Sequence, residues 1–347
     1  MSILEQLGIK HPIFLAPMAG VSTPELAAEV SNQGGLGSLG LGASSVASAR
    51  EQILKTQDLT DCPFQVNFFC HQPEPLDEAA AQAWLDYLSP HFVHYGVALP
   101  TQLKNLYPSF LSNDDYLNLV LETRPQAVSF HFGIPHAHQI QALKQAGIIT
   151  MVSATNLAEA QAIEAAGIDI IIAQGVEAGG HRGLFNAAID GGIRTVDLVT
   201  LLTQHCQIPV VAAGGIMNGQ HAQRVMNLGA VAVQLGTAFV QCKSSNANEA
   251  YRKALFSQSC TQITDSISGR PARGLVNQWH RLVDTPNRPP VPTYPYTYDI
   301  GKQLHAAASQ QGEQGFGAFW AGANVGLIRD MEAGDLINQL VLEMTSH

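Results

Sequence analysis

Thirteen histidines are spread along the chain, and His181 stands apart from the rest by its surroundings. It lies in AQGVEAGGHRG, residues 173–183, directly behind the apolar run IDIIIA. Imidazole is the side chain best suited to moving protons near neutral pH. Gly179 and Gly180 let the backbone turn tightly and approach a bound molecule. Gln174 closes the apolar run and offers an amide. His181 is therefore read as a general base, and Arg182 beside it as a surface residue. His131, in SFHFG at 129–133, is a second candidate base or a partner supporting the first.

Two further runs suit an anion. AAGGIMNG (212–219) places Gly214 and Gly215 behind one apolar run, and QLGTAF (234–239) places Gly236 and Thr237 at the end of the next. Either alone is a plain turn. Together, at neighbouring strand ends, they predict a phosphate site built from backbone N–H groups. Asn67, in QVNFF, can bond the polar edge of a flat ring. LAPMAG at 15–20 can lie against its face, with Met18 as a soft contact. His136 and His138 are two residues apart, do not share a helix face, and have no acid to complete a set, so no metal site is expected. No Walker loop, G-x-S-x-G elbow or leading G-x-G-x-x-G occurs.

These residues need a scaffold that gathers strand ends. Short apolar runs at 13–16, 36–39, 64–69, 127–132, 148–152, 168–173, 209–213 and 231–235 read as strands. Helix-period segments at 23–33, 46–55, 136–146, 157–166, 196–205 and 220–228 lie between them. Alternation of this kind implies a parallel sheet buried on both faces. Eight such units close most economically into an α/β (β/α)₈ TIM barrel, whose chemistry sits at the C-terminal strand ends. A doubly wound open sheet is the alternative.

Residues 71–125 are too long for a simple connection and read as a helical insertion, with helices at 79–87 and 114–123. Residues 1–257 form the barrel with that insertion, and 258–347 a C-terminal cap with a returning helix at 325–344. RPPVPTYPYTY, 288–298, is expected not to form regular helix.

Composition agrees with a compact enzyme: 347 residues, 46% apolar, 13% charged, 31 glycines. A net charge of −10 argues against nucleic acid. Cys62, Cys70, Cys206, Cys242 and Cys260 are odd in number and form no C-x-x-C, which suits a reducing cytoplasm. The N-terminus lacks signal-peptide features, and no apolar run is long enough for a membrane.

At the residues quoted above, from PIFLAPMAG at residue 12 to the last helix, the chain resembles the nitronate monooxygenases, formerly 2-nitropropane dioxygenases. The EAGGHRG, AAGGI and QLGTAF segments carry the resemblance. It implies FMN as cofactor, with Asn67, Gln174, Gly179, Gly215, Gln234, Leu235, Gly236 and Thr237 at flavin-binding positions. It implies His181 as the catalytic base. SFHFG and WAGANVGLIRDMEAGDLINQL (320–340) resemble the class I branch. That branch implies oxidation of alkyl nitronates, propionate 3-nitronate foremost, with O2, to a carbonyl product and nitrite, in a detoxifying role. The implied partners are a small nitronate or nitroalkane and O2; a homodimer is one assembly it allows. Enoyl-ACP reductases and NADH:quinone reductases share the EAGGH-type loop, so an FMN-dependent NAD(P)H reductase is the alternative.

Overall fold

The computed structural model describes residues 1–257 and 259–345. The C-terminal segment 258–347 thus begins and ends on residues outside that set. Eleven strands follow in chain order: β1 Ile13–Leu15, β2 Gly37–Gly40, β3 Phe64–Phe69, β4 Ala127–His131, β5 Ile149–Ala154, β6 Ile170–Gln174, β7 Gly180–His181, β8 Val210–Ala213, β9 Ala232–Leu235, β10 Thr261–Thr264 and β11 Ala272–Leu275. All but β7, β10 and β11 form one parallel sheet, ordered β1-β9-β8-β6-β5-β4-β3-β2. A parallel bridge between Phe14 and Leu36 closes the ring, with Leu15 N donating to Leu36 O and Leu36 N to Ile13 O, both at 2.9 Å. The sheet is therefore a (β/α)₈ barrel, not an open doubly wound sheet.

Strand parity decides what enters the barrel. Val66, Phe68, Val128, Phe130, Val152, Ile171, Ala173, Val210 and Val233 point outward and pack under the helices. The alternate residues face inward. At the closed end these include Phe14, Leu36, Ala127, Met151, Ile170, Val211 and Ala232. Further along β3, β4, β5, β6 and β9 the same face carries the polar groups Asn67, His131, Ser153, Gln174 and Gln234. A period of two thus turns five strands into five polar side chains aimed at one opening.

The insertion and the C-terminal segment share a second apolar core. Trp84, Leu88 and Phe92 of the helix Glu78–His94 pack with Trp279, Ile300, Leu304 and Phe316. The other insertion helix is Asp115–Thr123.

Three local expectations change. The tract 288–298 does not stay irregular throughout, because its last three residues open the helix Tyr296–Gln310 with Pro295 at the N-cap. Proline breaks a helix where an N–H is needed, and none is needed there. The returning helix is shorter than 325–344: a 3₁₀ turn, Val325–Leu327, ends in extended backbone at Ile328, and the α-helix is Ala333–Thr345. Short helices Ile3–Leu7 and Glu249–Ser257 lie where none was read. No helix among the described residues is long and apolar enough to cross a membrane.

Candidate active site

A cavity of about 250 Å³ opens at the C-terminal strand ends. Asn67, Gln174, Gly179, His181, Gly215, Gln234, Leu235, Gly236 and Thr237 all line it, and so do His131 and Met18. Leu235 points outward into the helix layer, so its backbone is what it offers the cavity.

His181 does not sit on a free loop. It forms β7, paired antiparallel with β11 in a three-stranded sheet made with the C-terminal segment. Its carbonyl oxygen accepts from Gln174 Nε2 at 2.9 Å and His131 Nε2 at 3.1 Å. Its ring Nε2 lies 2.9 Å from Ser268 Oγ. Ser268 Oγ also lies 3.1 Å from the Arg270 carbonyl oxygen, so its one proton serves either neighbour and the His181 tautomer follows from which it takes. Nδ1 has no partner within the described chain. Trp320 packs against the ring at 5.3 Å between centroids, Tyr294 at 5.7 Å and Tyr298 at 6.0 Å. Burial, with His131 and Arg270 nearby, lowers its pKa to about 3. His181 is a neutral imidazole at physiological pH.

His131 is committed at both nitrogens. A carbonyl can only accept, so Nε2 carries the proton toward His181, and Nδ1 accepts from Ser153 Oγ at 3.0 Å. Burial lowers its pKa to about 4. Of the two roles read from the sequence, the geometry fits the supporting partner.

Arg182 was expected at the surface and is instead fully buried. Its guanidinium donates to Gln174 O, Gln174 Oε1 and Gly175 O, and pairs with Asp190 at 2.8 Å. Burial works to raise the Asp190 carboxyl, but the Arg182 bond, the Gly192 N–H and the charges of Arg182 and Arg273 together hold the group below its ordinary range. Arg182, the residue after β7, points away from the cavity, and a buried charge needs such partners. Gln174 Oε1 also accepts from Gly183 N at 2.7 Å, so this amide chiefly fixes the His181 segment.

The glycine turns are clamped by a stretch that the strand rhythm did not single out. Asn324 Nδ2 donates to Gly215 O at 2.6 Å, and Gly322 N to Thr237 Oγ1 at 2.9 Å. A Cβ on Gly179 would lie 2.6 Å from the backbone of Ala321 and Gly322. Gly215 holds φ +69°, and Gly236 a φ of −111° open to any residue. Among the described residues the N–H groups of Gly215 and Ile216 have no acceptor.

Tyr107, Tyr251, Tyr294, Tyr298, Lys302 and Trp320 also line the cavity and were missed. Tyr107 comes from the insertion, and the others lie beyond the last barrel strand. The dense tyrosines of PTYPYTY were the available signal. No group of three or more His, Cys, Asp or Glu among the described residues could hold a metal.

Comparison with known proteins agrees with this geometry. The family model described as nitronate monooxygenase matches residues 2–343. A nitronate monooxygenase of Paraburkholderia phytofirmans is 50% identical over 346 residues, covering 99% of this chain and 94% of that protein. A nitroalkane oxidase from Streptomyces ansochromogenes superposes with a TM-score of 0.91 at 37% identity, covering 99% and 98% of the two chains. FabK from Thermotoga maritima superposes at 0.74 with 28% identity, covering 99% and 95%. A neutral histidine over a barrel-end cavity, full-length identity of one half and a family match across nearly every residue converge: the chain belongs to the nitronate monooxygenase family of oxidoreductases.

Proposed function

We propose that the cavity binds FMN and oxidises alkyl nitronates, propionate 3-nitronate foremost, with O2 to a carbonyl product and nitrite. The observation that carries this reading is the free Nδ1 of His181 in the same cavity as the two glycine turns.

The residues suit a flavin phosphate and ring. The unpaired N–H groups at Gly215 and Ile216, with the turn at Gly236 and Thr237, suit a terminal phosphate at the usual barrel position. Among the described residues Gln234 Oε1 is buried without a partner, an acceptor that a ring N–H would satisfy. Asn67 donates to Ser129, which leaves its oxygen free toward the same edge. Met18 and Ala16 line the cavity where they would flank a flat ring. Bound there, FMN supplies the electron transfer.

The chain's own part is binding and proton placement. With the Ser268 hydroxyl donating to the Arg270 carbonyl and accepting from His181 Nε2, Nδ1 faces substrate as an acceptor. With a pKa near 3 this imidazole is a weak base, which suits a nitronate that has already lost its α-proton. When a neutral nitroalkane gives its α-proton to Nδ1, the nitronate formed beside the ring offsets the burial penalty on the imidazolium. The aromatic wall of Tyr294, Tyr298 and Trp320 limits water at the reacting carbon.

Nitrite release from propionate 3-nitronate, measured with and without NADH, tests the reading. Nitrite is expected in air without NADH, from yellow protein that yields FMN on denaturation. Anaerobic bleaching by NADH with no nitrite would establish the reductase alternative instead.

A further inference from the structure

Residues 321–324 form one short run beside the cavity and bond to the loops behind three barrel strands. Ala323 N donates to Glu177 O at 2.9 Å, behind β6. Asn324 Nδ2 donates to Gly215 O at 2.6 Å, behind β8, and Gly322 N to Thr237 Oγ1 at 2.9 Å, behind β9. Gly322 has no room for a side chain, because a Cβ there would lie 2.9 Å from Glu177 O. The run is held at both ends. Ala321 N donates to Arg273 O and Trp320 bridges Gly274, which ties its start to β11. Beyond it, the helix Ala333–Thr345 is anchored to the barrel helix Gly219–Met226, where Glu343 Oε2 accepts from Gly219 N at 2.7 Å.

Two of these contacts set the direction of a donor. The Gly215–Ile216 peptide is trans, so its carbonyl and its N–H point opposite ways. Asn324 holds the Gly215 oxygen on one side. The Ile216 N–H, which has no acceptor among the described residues, is thereby turned to the other, and Ile216 lines the cavity. A carbonyl only accepts, so the contact needs the amide nitrogen of Asn324. Thr237 Oγ1 accepts from Gly322 N, and its own proton meets no acceptor among the described residues. One run thus orients an N–H and an O–H on neighbouring loops of the same cavity.

We infer that Asn324 is a positioning residue for the cofactor phosphate. Through the Gly215 carbonyl it presents the Ile216 N–H, and the 321–324 run docks in step with phosphate binding. The second half follows by linkage: a phosphate held only when the donors are oriented stabilises the docked run by as much as the docked run strengthens its binding. The identity of the anion rests on the FMN reading.

Dialysis of the full-length protein against equal FMN and riboflavin, which differ by the phosphate alone, reads the effect without turnover. Bound flavins are separated and counted after denaturation. Wild type is expected to retain FMN over riboflavin. Asn324→Leu, close in shape and unable to donate, should lower the bound FMN-to-riboflavin ratio about tenfold, the worth of one charge-assisted hydrogen bond. Riboflavin affinity should not change, whereas general damage to the fold would weaken both flavins. Hydrogen exchange needs no variant: the Gly322 and Ala323 amides of wild type should exchange more slowly with FMN bound than with riboflavin bound. A wild-type preference for FMN that survives in Asn324→Leu, or equal protection by the two flavins, overturns the inference and leaves FMN binding standing. A wild type that retains both flavins alike, or neither, removes the phosphate site and the inference with it.

Discussion

His131 donates its Nε2 proton to the carbonyl oxygen of His181 across 3.1 Å, on the same oxygen that accepts from Gln174. One buried imidazole thus sets the backbone from which the other projects. The relation depends on His131 staying neutral with Nδ1 as an acceptor for Ser153.

Removing that donor should displace His181 without touching substrate. His131→Phe loses both bonds and leaves the Ser153 hydroxyl unpaired, at a cost of roughly 1–3 kcal/mol. Turnover of nitronates and nitroalkanes should both fall, and His131→Gln, which keeps a donor, should recover part of it. Steady-state kinetics and urea titration of the two variants measure this. Wild-type kinetics in the Phe variant would reduce the contact to packing.

His181 itself should show a split between substrates. His181→Asn is expected to cut kcat/KM for neutral nitroalkanes by about 10²–10⁴-fold. Matched preformed nitronates need no proton removed and should lose far less. Equal losses in the paired assay would make His181 an anion-positioning group.

Two glycines should fail differently. Gly215→Ala forces a side chain into φ +69° and sets Cβ 2.9 Å from Glu177 Cβ, so thermal stability should drop by about 1–2 kcal/mol together with flavin content. Gly236→Val meets no such backbone strain, and its ideal Cβ lies 3.3 Å from Ala16 Cβ. It should fold, as circular dichroism would report, and lose flavin. Full flavin occupancy in Gly236→Val would sink the phosphate placement.

Acid should destabilise the fold through buried histidines. Burial holds His71 and His131 at about 4 and His181 at about 3, against 6.5 unfolded. Between those values the unfolded chain binds more protons, so stability is intact above 6.5 and declines as pH falls toward 4. Each histidine contributes a slope of roughly 1.4 kcal/mol per pH unit within its window. Urea midpoints across that range give the slope, and a flat profile would show that these rings protonate in the native state.

Much of the barrel was legible because its signals are local. Valine and isoleucine runs with helix-period segments between them specify strands and their order, and parity then determines that Asn67, Gln174 and Gln234 face one opening. The glycine turns could be read for the same reason, since a φ such as that of Gly215 is a demand placed on a single residue. The sequence by itself thus determined the eight strands and the glycine-flanked histidine, while closure into a barrel was decided by the bridge between Phe14 and Leu36. Tertiary structure alone decided the walls. Tyr107 and Lys302 are 195 positions apart and meet only because the insertion and the C-terminal segment share an apolar core, a pairing that no local period encodes. The same holds for Arg182, whose charge looked solvated until Asp190 and the Gln174 carbonyl were folded around it. It holds for Ser268, which meets the His181 ring from 87 residues away. Partners at such separations are chosen by packing, because many distant groups could satisfy the same donor and only the folded chain brings one of them within reach.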